Sequence, residues 1–381
     1  MRRVSLALAF GLTVGIAATA VAADPPGLAT GKPDIRSLSA LAFGPGGVLF
    51  VGDSRGGAVY AIDLGARAAS EVKDPKEIPD VEGKLAALLG ATAADVMIHD
   101  LAVDPVSKQS YLAVSRGRSA WNGQYLLPND VADASVLVRF DATGRPEIVD
   151  LSSVPFARVA LPNPVDAAKK VPWKNVSLRA DTITDMAYAE GALYIAGLSN
   201  EEFASTMWKV AYPFAGAVSA TTVENYHGAH GKYETEAPVR TFVPYSLKGR
   251  AHLLAAYLCT PLVTIAVDDL KDKAHVRGRT VGEFGSGNYP LDMVVYKKDG
   301  KEKLLIANSN LPFMIVDPKD VEAYDGAIDK RVETYIAGVR YEPRSGTGIQ
   351  QMDNLGDAYV EVLRRLPGGR LDLVPVSVKR F

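Results

Sequence analysis

Two histidines and the single cysteine of the chain carry side chains that commonly bind transition metals. His227 and His230 are spaced as H-x-x-H, so a turn between them could direct both imidazoles at one cation. Cys259 would add a soft sulfur ligand, which suits copper or zinc. The ordinary alternatives are a solvated pair of loop histidines and a small, packed cysteine. We predict a metal site formed by His227, His230 and Cys259.

A second group of polar side chains falls at the starts and ends of segments that read as strands, and we predict that it binds a ligand. Its members are His99, Asp100, Arg116, Asp185, Asn200, Glu201, Glu202, Asp292, Asn308 and Asn310. Tyr226 and Glu234 flank the histidine pair in the same loop. With the imidazoles, these oxygen atoms would suit one divalent ion, which could be calcium, zinc or copper. The three aspartates have a structural alternative, because Asp at a strand start can accept backbone N–H groups of a neighbouring strand.

The elements that position these residues form an internal repeat. The segment Val243–Gly249 matches Val294–Gly300, and the match continues in register from Leu253–Ile265 to Leu304–Val316. In that alignment Cys259 corresponds to Asn310. Weaker copies place six first strands near positions 39, 100, 185, 241, 292 and 350. Short strands repeated in this way, with helix confined to Glu82–Leu89 and Asp320–Tyr324, predict an all-β protein.

The repeat predicts a single β-propeller, because each unit is too small to bury both of its faces alone. Six blades fit the repeat, and a seventh would require a further unit between Asp100 and Asp185. Two small β-domains are the alternative architecture. Residues 23 to 38 would then add an outer strand to the last blade. In a propeller, the starts of the inner strands and the ends of the second strands gather at one mouth of the central channel. We therefore predict that the ligand site lies at that mouth.

The blade-start patterns Asp100-Leu-Ala-Val-Asp-Pro and Leu41-Ala-Phe-Gly-Pro-Gly-Gly support a family resemblance. They resemble exported bacterial propellers of the YVTN/NHL, quinoprotein-amine-dehydrogenase-β-like superfamily. The loop blocks at residues 199–206 and 230–238 look like a family of periplasmic proteins. This resemblance implies a propeller fold outside the cytoplasm and carries no activity with it.

The N-terminal residues have the pattern of an export signal. A basic start, Met1–Arg3, precedes the uncharged apolar stretch Val4–Ala22, which ends in the cleavage pattern Ala20-Val21-Ala22. An uncleaved membrane anchor is the alternative. We predict a signal peptide over residues 1–22, a propeller domain over residues 23–381, no membrane span after cleavage, and a periplasmic or secreted protein.

Composition excludes several classes of function. The 381 residues include 42 Lys+Arg and 44 Asp+Glu, so the net charge of −2 argues against a nucleic-acid partner. One cysteine excludes a disulfide scaffold and any multi-cysteine zinc or iron–sulfur site. The stretch Gly52-Asp-Ser-Arg-Gly56 matches G-x-S-x-G, but a strand follows it where a nucleophile elbow needs a helix. We interpret it as a hairpin turn.

Three functions fit these observations, and the sequence leaves open whether the protein is an enzyme. The first is a periplasmic propeller that binds a small molecule, a cation or a protein partner at one mouth of its channel. The second is a metal-dependent hydrolase similar to the gluconolactonase group, with Asp100, Asp185 and Asp292 as ligands and Glu201 or His99 as the base. The third is an accessory protein of a redox system, in which Cys259 and the histidine pair would hold copper.

Overall fold

The computed structural model describes residues 27–116, 135–141, 143–171 and 177–381. The predicted signal peptide, residues 1–22, lies outside this range. The described chain consists mostly of short strands. It has two α-helices, α1 (Val81–Leu89) and α2 (Pro318–Ala323), close to the two helices that the sequence predicts, and five short 3-10 helices. Across the described residues, no helix has the length and apolar character needed to cross a membrane.

The first half of the described strands belongs to three sheets, each built from antiparallel pairs. Sheet 1 contains β1 (Ala29–Gly31), β2 (Leu41–Phe43), β3 (Leu49–Asp53) and β4 (Ala58–Ile62). Sheet 2 contains β5 (Val96–Val103), β6 (Ser110–Arg116), β7 (Ser135–Phe140) and β8 (Pro146–Ile148). The next strand, β9 (Val154–Ala160), returns to sheet 1. Sheet 3 contains β10 (Asp185–Ala189), β11 (Ala192–Leu198), β12 (Ser205–Ala211), β13 (Ser219–His227) and β14 (Lys232–Glu234).

Three more groups of strands follow in the second half, and the first of them, sheet 4, is continuous with sheet 3 through the parallel pairing of β13 with its last strand. Sheet 4 contains β15 (Thr241–Leu247), β16 (Arg250–Ala256), β17 (Pro261–Ala266) and β18 (His275–Glu283). Sheet 5 contains β19 (Pro290–Lys298), β20 (Lys301–Asn308) and β21 (Phe313–Val316). The short strand β22 (Ala337–Gly338) pairs with β18, and β23 (Glu342–Arg344) pairs with β21. Sheet 6 contains β24 (Ile349–Leu355), β25 (Tyr359–Arg365) and β26 (Leu371–Ser377).

The first strands of the six sheets form a closed ring. Around it, β2 contacts β10, which is followed by β15, β19, β24, β5 and β2 again. Each neighbouring pair of sheets shares one buried apolar cluster, so both faces of every sheet are covered. The prediction of an all-β propeller is confirmed. The number of blades stays a prediction, since these sheets are counted over the described residues alone.

The order of sheets around the ring differs from their order in the chain. Sheet 2 lies between sheets 6 and 1, because the chain leaves sheet 1 after β4 and returns to it with β9. The prediction that residues 23 to 38 add a strand to the last blade is wrong. Instead, β1 pairs with β9 and extends sheet 1. Sheet 6 takes its outer contact from Ile78, which forms a bridge with Leu373.

The segment that matches G-x-S-x-G connects β3 to β4 as a hairpin, as predicted. Asp53 is buried there, and its carboxylate accepts N–H groups from Arg36, Ser37 and Gly56. The carboxylate therefore holds the turn against the preceding chain, and Ser54 hydrogen-bonds with the backbone of Ile183. The geometry is that of a structural turn.

Candidate functional site

The three residues predicted as metal ligands lie together. Ligand atoms of His227, His230 and Cys259 all lie within 4.8 Å of one another. His227 ends β13, and a tight turn follows in which the His230 and Gly231 N–H groups donate to the His227 carbonyl. This turn stacks the two imidazoles with their centroids 3.9 Å apart. The H-x-x-H spacing therefore has the local consequence that the sequence predicts.

Cys259 reaches this cluster from the hairpin between β16 and β17. Cys259 and Thr260 have φ angles of 62° and 60° and so lie in the left-handed region, within the four-residue connection 257–260. Such angles are unfavourable for residues other than glycine, and three hydrogen bonds hold them here. The Cys259 N–H donates to Asn288, the Thr260 N–H to Tyr257, and the Thr260 hydroxyl to Gly285.

The loop at residues 285–289 faces the cysteine sulfur. The Gly287 N–H donates to Sγ at 3.3 Å, which stabilises negative charge on the sulfur. Two predicted ligand residues form hydrogen bonds with this loop. Asn308 accepts from the Asn288 amide at 2.8 Å, and Asn310 donates to the Gly287 carbonyl at 2.9 Å. Asn308 and Asn310 therefore support Cys259 indirectly.

Two carboxylates flank the histidines. Glu234 accepts a hydrogen bond from Nδ1 of His230 at 2.6 Å, because β14 folds back on β13 and brings it to the same face. It also lies 3.2 Å from Nδ1 of His227, although the angle falls outside hydrogen-bond geometry. Burial raises the pKa of Glu234, but the two histidines outweigh this effect and lower it to about 2.

Glu283 is the second carboxylate, and sequence reasoning missed it. It ends β18, which runs parallel to β13, so the ends of both strands lie on the same side. Its Oε1 accepts the Gly228 N–H at 2.5 Å, and its Oε2 lies 3.8 Å from Nε2 of His227. Burial raises the pKa of Glu283, and the neighbouring histidines oppose this rise. No spacing in the sequence signals the pairing of these two strands.

Asp100, Asp185 and Asp292 occupy alternate inner strands around the channel. One oxygen of each accepts the N–H of the next residue, and the other accepts an N–H from the neighbouring sheet. The neighbouring donors are Leu41, Phe242 and Met352, at 2.6–2.7 Å. This is the structural role that the sequence leaves open for these aspartates, and their ligand atoms do not form a close group of the kind seen at His227.

The three aspartates lie between two cavities of the channel, at a level that we call the waist. They line a cavity of about 130 Å³ on one side and a wider one of about 510 Å³ on the other. Burial raises the pKa of Asp185 to about 7. Burial and the charge of the other aspartates raise the pKa of Asp100 and Asp292 well above their usual range. His99 lines the smaller cavity, where burial lowers its pKa to about 4.

The remaining predicted ligand residues do not line either channel cavity. Arg116 donates to the Leu89 carbonyl at the end of α1. Asn200 and Glu201 bond with Asn163 on the outer rim, where Glu202 is exposed. The structure thus separates these four residues from the aspartates.

A side cavity of about 520 Å³ connects the two parts of the site. The ion pair of Arg240 with Asp181, at 3.0 Å, lines both this cavity and the smaller channel cavity. Glu234 and Leu258, beside the metal ligands, line its other end. The side cavity therefore extends from the narrow end of the channel to neighbours of the histidine–cysteine cluster, whose three ligand residues do not line it.

Comparison with known proteins gives a similarity of fold alone. No family model and no curated protein matches the sequence. Among solved structures, hydrazine synthase from Kuenenia stuttgartiensis is 12% identical, with a TM-score of 0.33, over 88% of this chain and 75% of that chain. A putative glucose dehydrogenase from Thermus thermophilus is 11% identical, with a TM-score of 0.30, over 92% and 100%. Extracellular domains of Drosophila semaphorin 1b are 10% identical, with a TM-score of 0.34, over 91% and 86%. Similarities at this level carry no argument about activity.

Proposed function

We propose that this protein is an exported propeller that binds one zinc or copper ion through His227, His230 and Cys259. The observation that carries this proposal is the close approach of the three ligand groups around a buried imidazole. His227 is 1% exposed, and neither of its ring nitrogens has hydrogen-bond geometry with any described residue. Glu234 lies near Nδ1 and Glu283 near Nε2, but a buried ring nitrogen that lacks a well-formed hydrogen bond is costly, and a metal ion would satisfy one of them.

The donor set favours a borderline or soft ion. Two imidazoles and a thiolate suit zinc and copper, whereas calcium prefers oxygen ligands. Bonds to zinc measure about 2.0–2.3 Å, so ligand atoms up to 4.8 Å apart would need shifts of about 1 Å to enclose it. When bound, zinc would supply a rigid cross-link or a Lewis acid, and copper would supply a one-electron couple. Glu234 would keep both imidazoles oriented, since carboxylates commonly fix the rings of metal-bound histidines.

Metal analysis of the mature protein tests the proposal. The protein is purified without chelators or a histidine tag, then supplied in separate samples with zinc and with copper. We expect one equivalent in the wild type and in the control His252→Ala, whose ring lies at the surface and bonds to Arg250. The double variant His227→Ala/His230→Ala should retain none, with an unchanged circular dichroism spectrum. A wild type that binds neither metal, or a double variant that retains it, would overturn the proposal.

The identity of the metal separates the enzyme from the redox alternative. Zinc with ester or lactone hydrolysis would support the hydrolase, and copper with a reversible potential would support the redox accessory. A ligand at the channel mouth fits the two cavities that meet at the aspartates. We also propose membership of the YVTN/NHL superfamily and export to the periplasm. N-terminal sequencing of the mature protein tests export, and we expect Ala23 as the first residue.

A further inference from the structure

We propose that Glu283 is the fourth ligand of this metal ion, which makes the centre a closed N2OS site of the zinc type. The inference rests on the proposed function, because it concerns the same ion. It adds a ligand that neither the motif spacing nor the close His227–His230–Cys259 cluster contains. It also decides whether the ion keeps an open position for a substrate.

The two ring nitrogens of His227 have different neighbours. Nδ1 lies on the side of Glu234, 3.2 Å from its carboxylate, and Nε2 faces Oε2 of Glu283 at 3.8 Å. If the proton of the neutral ring points at Glu234, Nε2 directs a lone pair at Glu283. The two side chains are 1% and 3% exposed. Two buried acceptors that face each other in this way are unfavourable without a proton or a metal cation between them.

The separation of these two atoms fits a shared metal ion. Two nitrogen or oxygen ligands of tetrahedral zinc, each about 2.0–2.1 Å from the ion, lie roughly 3.3 Å apart. The observed 3.8 Å exceeds this by a distance that small side-chain rotations can close. The ligand atoms of His230 and Cys259 cluster with one ring nitrogen of His227, and Glu283 lies outside that cluster. The proposal requires this nitrogen to be Nε2, and it requires the Glu283 carboxylate to move toward the other two ligands.

The carboxylate of Glu283 is already oriented for this role. Its Oε1 is held by the Gly228 N–H, so Oε2 is the atom directed at His227. A side chain at Gly228 would collide with this arrangement, since an added Cβ would lie 3.1 Å from Oε1 and 2.7 Å from Val332. The glycine next to His227 thus allows the close approach of Val332 and of the Glu283 carboxylate.

Charge balance favours the same assignment. A thiolate and a carboxylate together neutralise a divalent ion, which makes its burial less costly. Four protein ligands leave no open position, and closed tetrahedral sites of this kind are structural, whereas catalytic zinc keeps a water. The ion would join the ends of β13 and β18 to the hairpin that holds Cys259.

The test compares Glu283→Gln with Glu224→Gln in the full-length mature protein. Both glutamates are buried, and they lie on the paired strands β18 and β13, so the second variant controls for loss of a buried carboxylate. Zinc affinity is measured by competition with a chelator. Relaxation of water protons in the cobalt-substituted protein reports whether the ion holds an exchangeable water. Glutamine keeps an acceptor for the Gly228 N–H, so the variant should fold.

We expect Glu283→Gln to weaken zinc binding at least about 100-fold, beyond the usual effect of a residue that only orients a ligand. Its cobalt form should gain an exchangeable water that the wild type and Glu224→Gln lack. Wild-type affinity in Glu283→Gln, or an exchangeable water in the wild type, overturns this inference and leaves the proposed function standing. A wild type that binds copper but no zinc overturns this inference alone, and a wild type that binds neither zinc nor copper overturns the proposed function itself.

Discussion

The charge of Asp185 should make the folded protein less stable as the pH rises. Burial raises the pKa of this carboxyl from 3.8 to about 7. Between these values the folded protein binds a proton that the unfolded chain has lost. The contribution of Asp185 to stability is therefore fully present below about pH 4 and is lost as the pH rises through about 7. Replacing Asp185 by asparagine removes this dependence, because asparagine does not titrate.

The size of the effect follows from the two pKa values. Between pH 5 and pH 8, proton linkage gives a loss of about 2.5 kcal/mol in the free energy of unfolding from Asp185 alone. Asparagine also places an NH2 group against one of two backbone N–H donors, those of Met186 and Phe242. The lost hydrogen bond costs roughly 1–3 kcal/mol. Asp185→Asn should thus be less stable than the wild type at pH 5 and close to it at pH 8.

Urea unfolding at pH 5, 6.5 and 8 measures these free energies. The control is Asp268→Asn, whose side chain is 76% exposed and pairs with Arg250 at the surface. We expect the control to follow the wild-type pH dependence, and Asp185→Asn to show a pH dependence smaller by about 2.5 kcal/mol. If the two variants show the same change from pH 5 to pH 8, the burial argument for this carboxyl is refuted.

Three further substitutions test the packing of the ring by urea unfolding. Trp208→Ala empties a fully buried site between sheets 1 and 3, so the free energy of unfolding should fall by about 3–5 kcal/mol. A fall below about 1 kcal/mol would contradict the packing described. Arg67→Met should lower the free energy of unfolding by about 3–5 kcal/mol at neutral pH, because it leaves the buried Asp104 carboxylate without the guanidinium 2.6 Å away. Unchanged stability would show that this ion pair contributes nothing. Gly197→Ala should cost about 1–3 kcal/mol, since its Cβ would lie 2.0 Å from the Thr182 carbonyl oxygen, and a neutral result would mean that the chains are farther apart.

Local patterns in the sequence were enough to predict the propeller and the proximity of His227, His230 and Cys259. Strand alternation depends on neighbouring residues, so the repeat predicts first strands that match those of the six sheets. The H-x-x-H spacing places His227 and His230 in one turn, and alignment of Cys259 with Asn310 places the cysteine in a hairpin on the same face. These inferences need no knowledge of which sheets are neighbours.

Only the tertiary structure decided which sheets are neighbours and what surrounds the site. The return of β9 to sheet 1 and the parallel pairing of β13 with β18 join segments far apart in the chain. The approach of Glu283 to His227 depends on that pairing, as the alternation of aspartates at the waist depends on the ring order. Burial against other sheets determines these contacts, because the pattern of each strand is compatible with more than one neighbour.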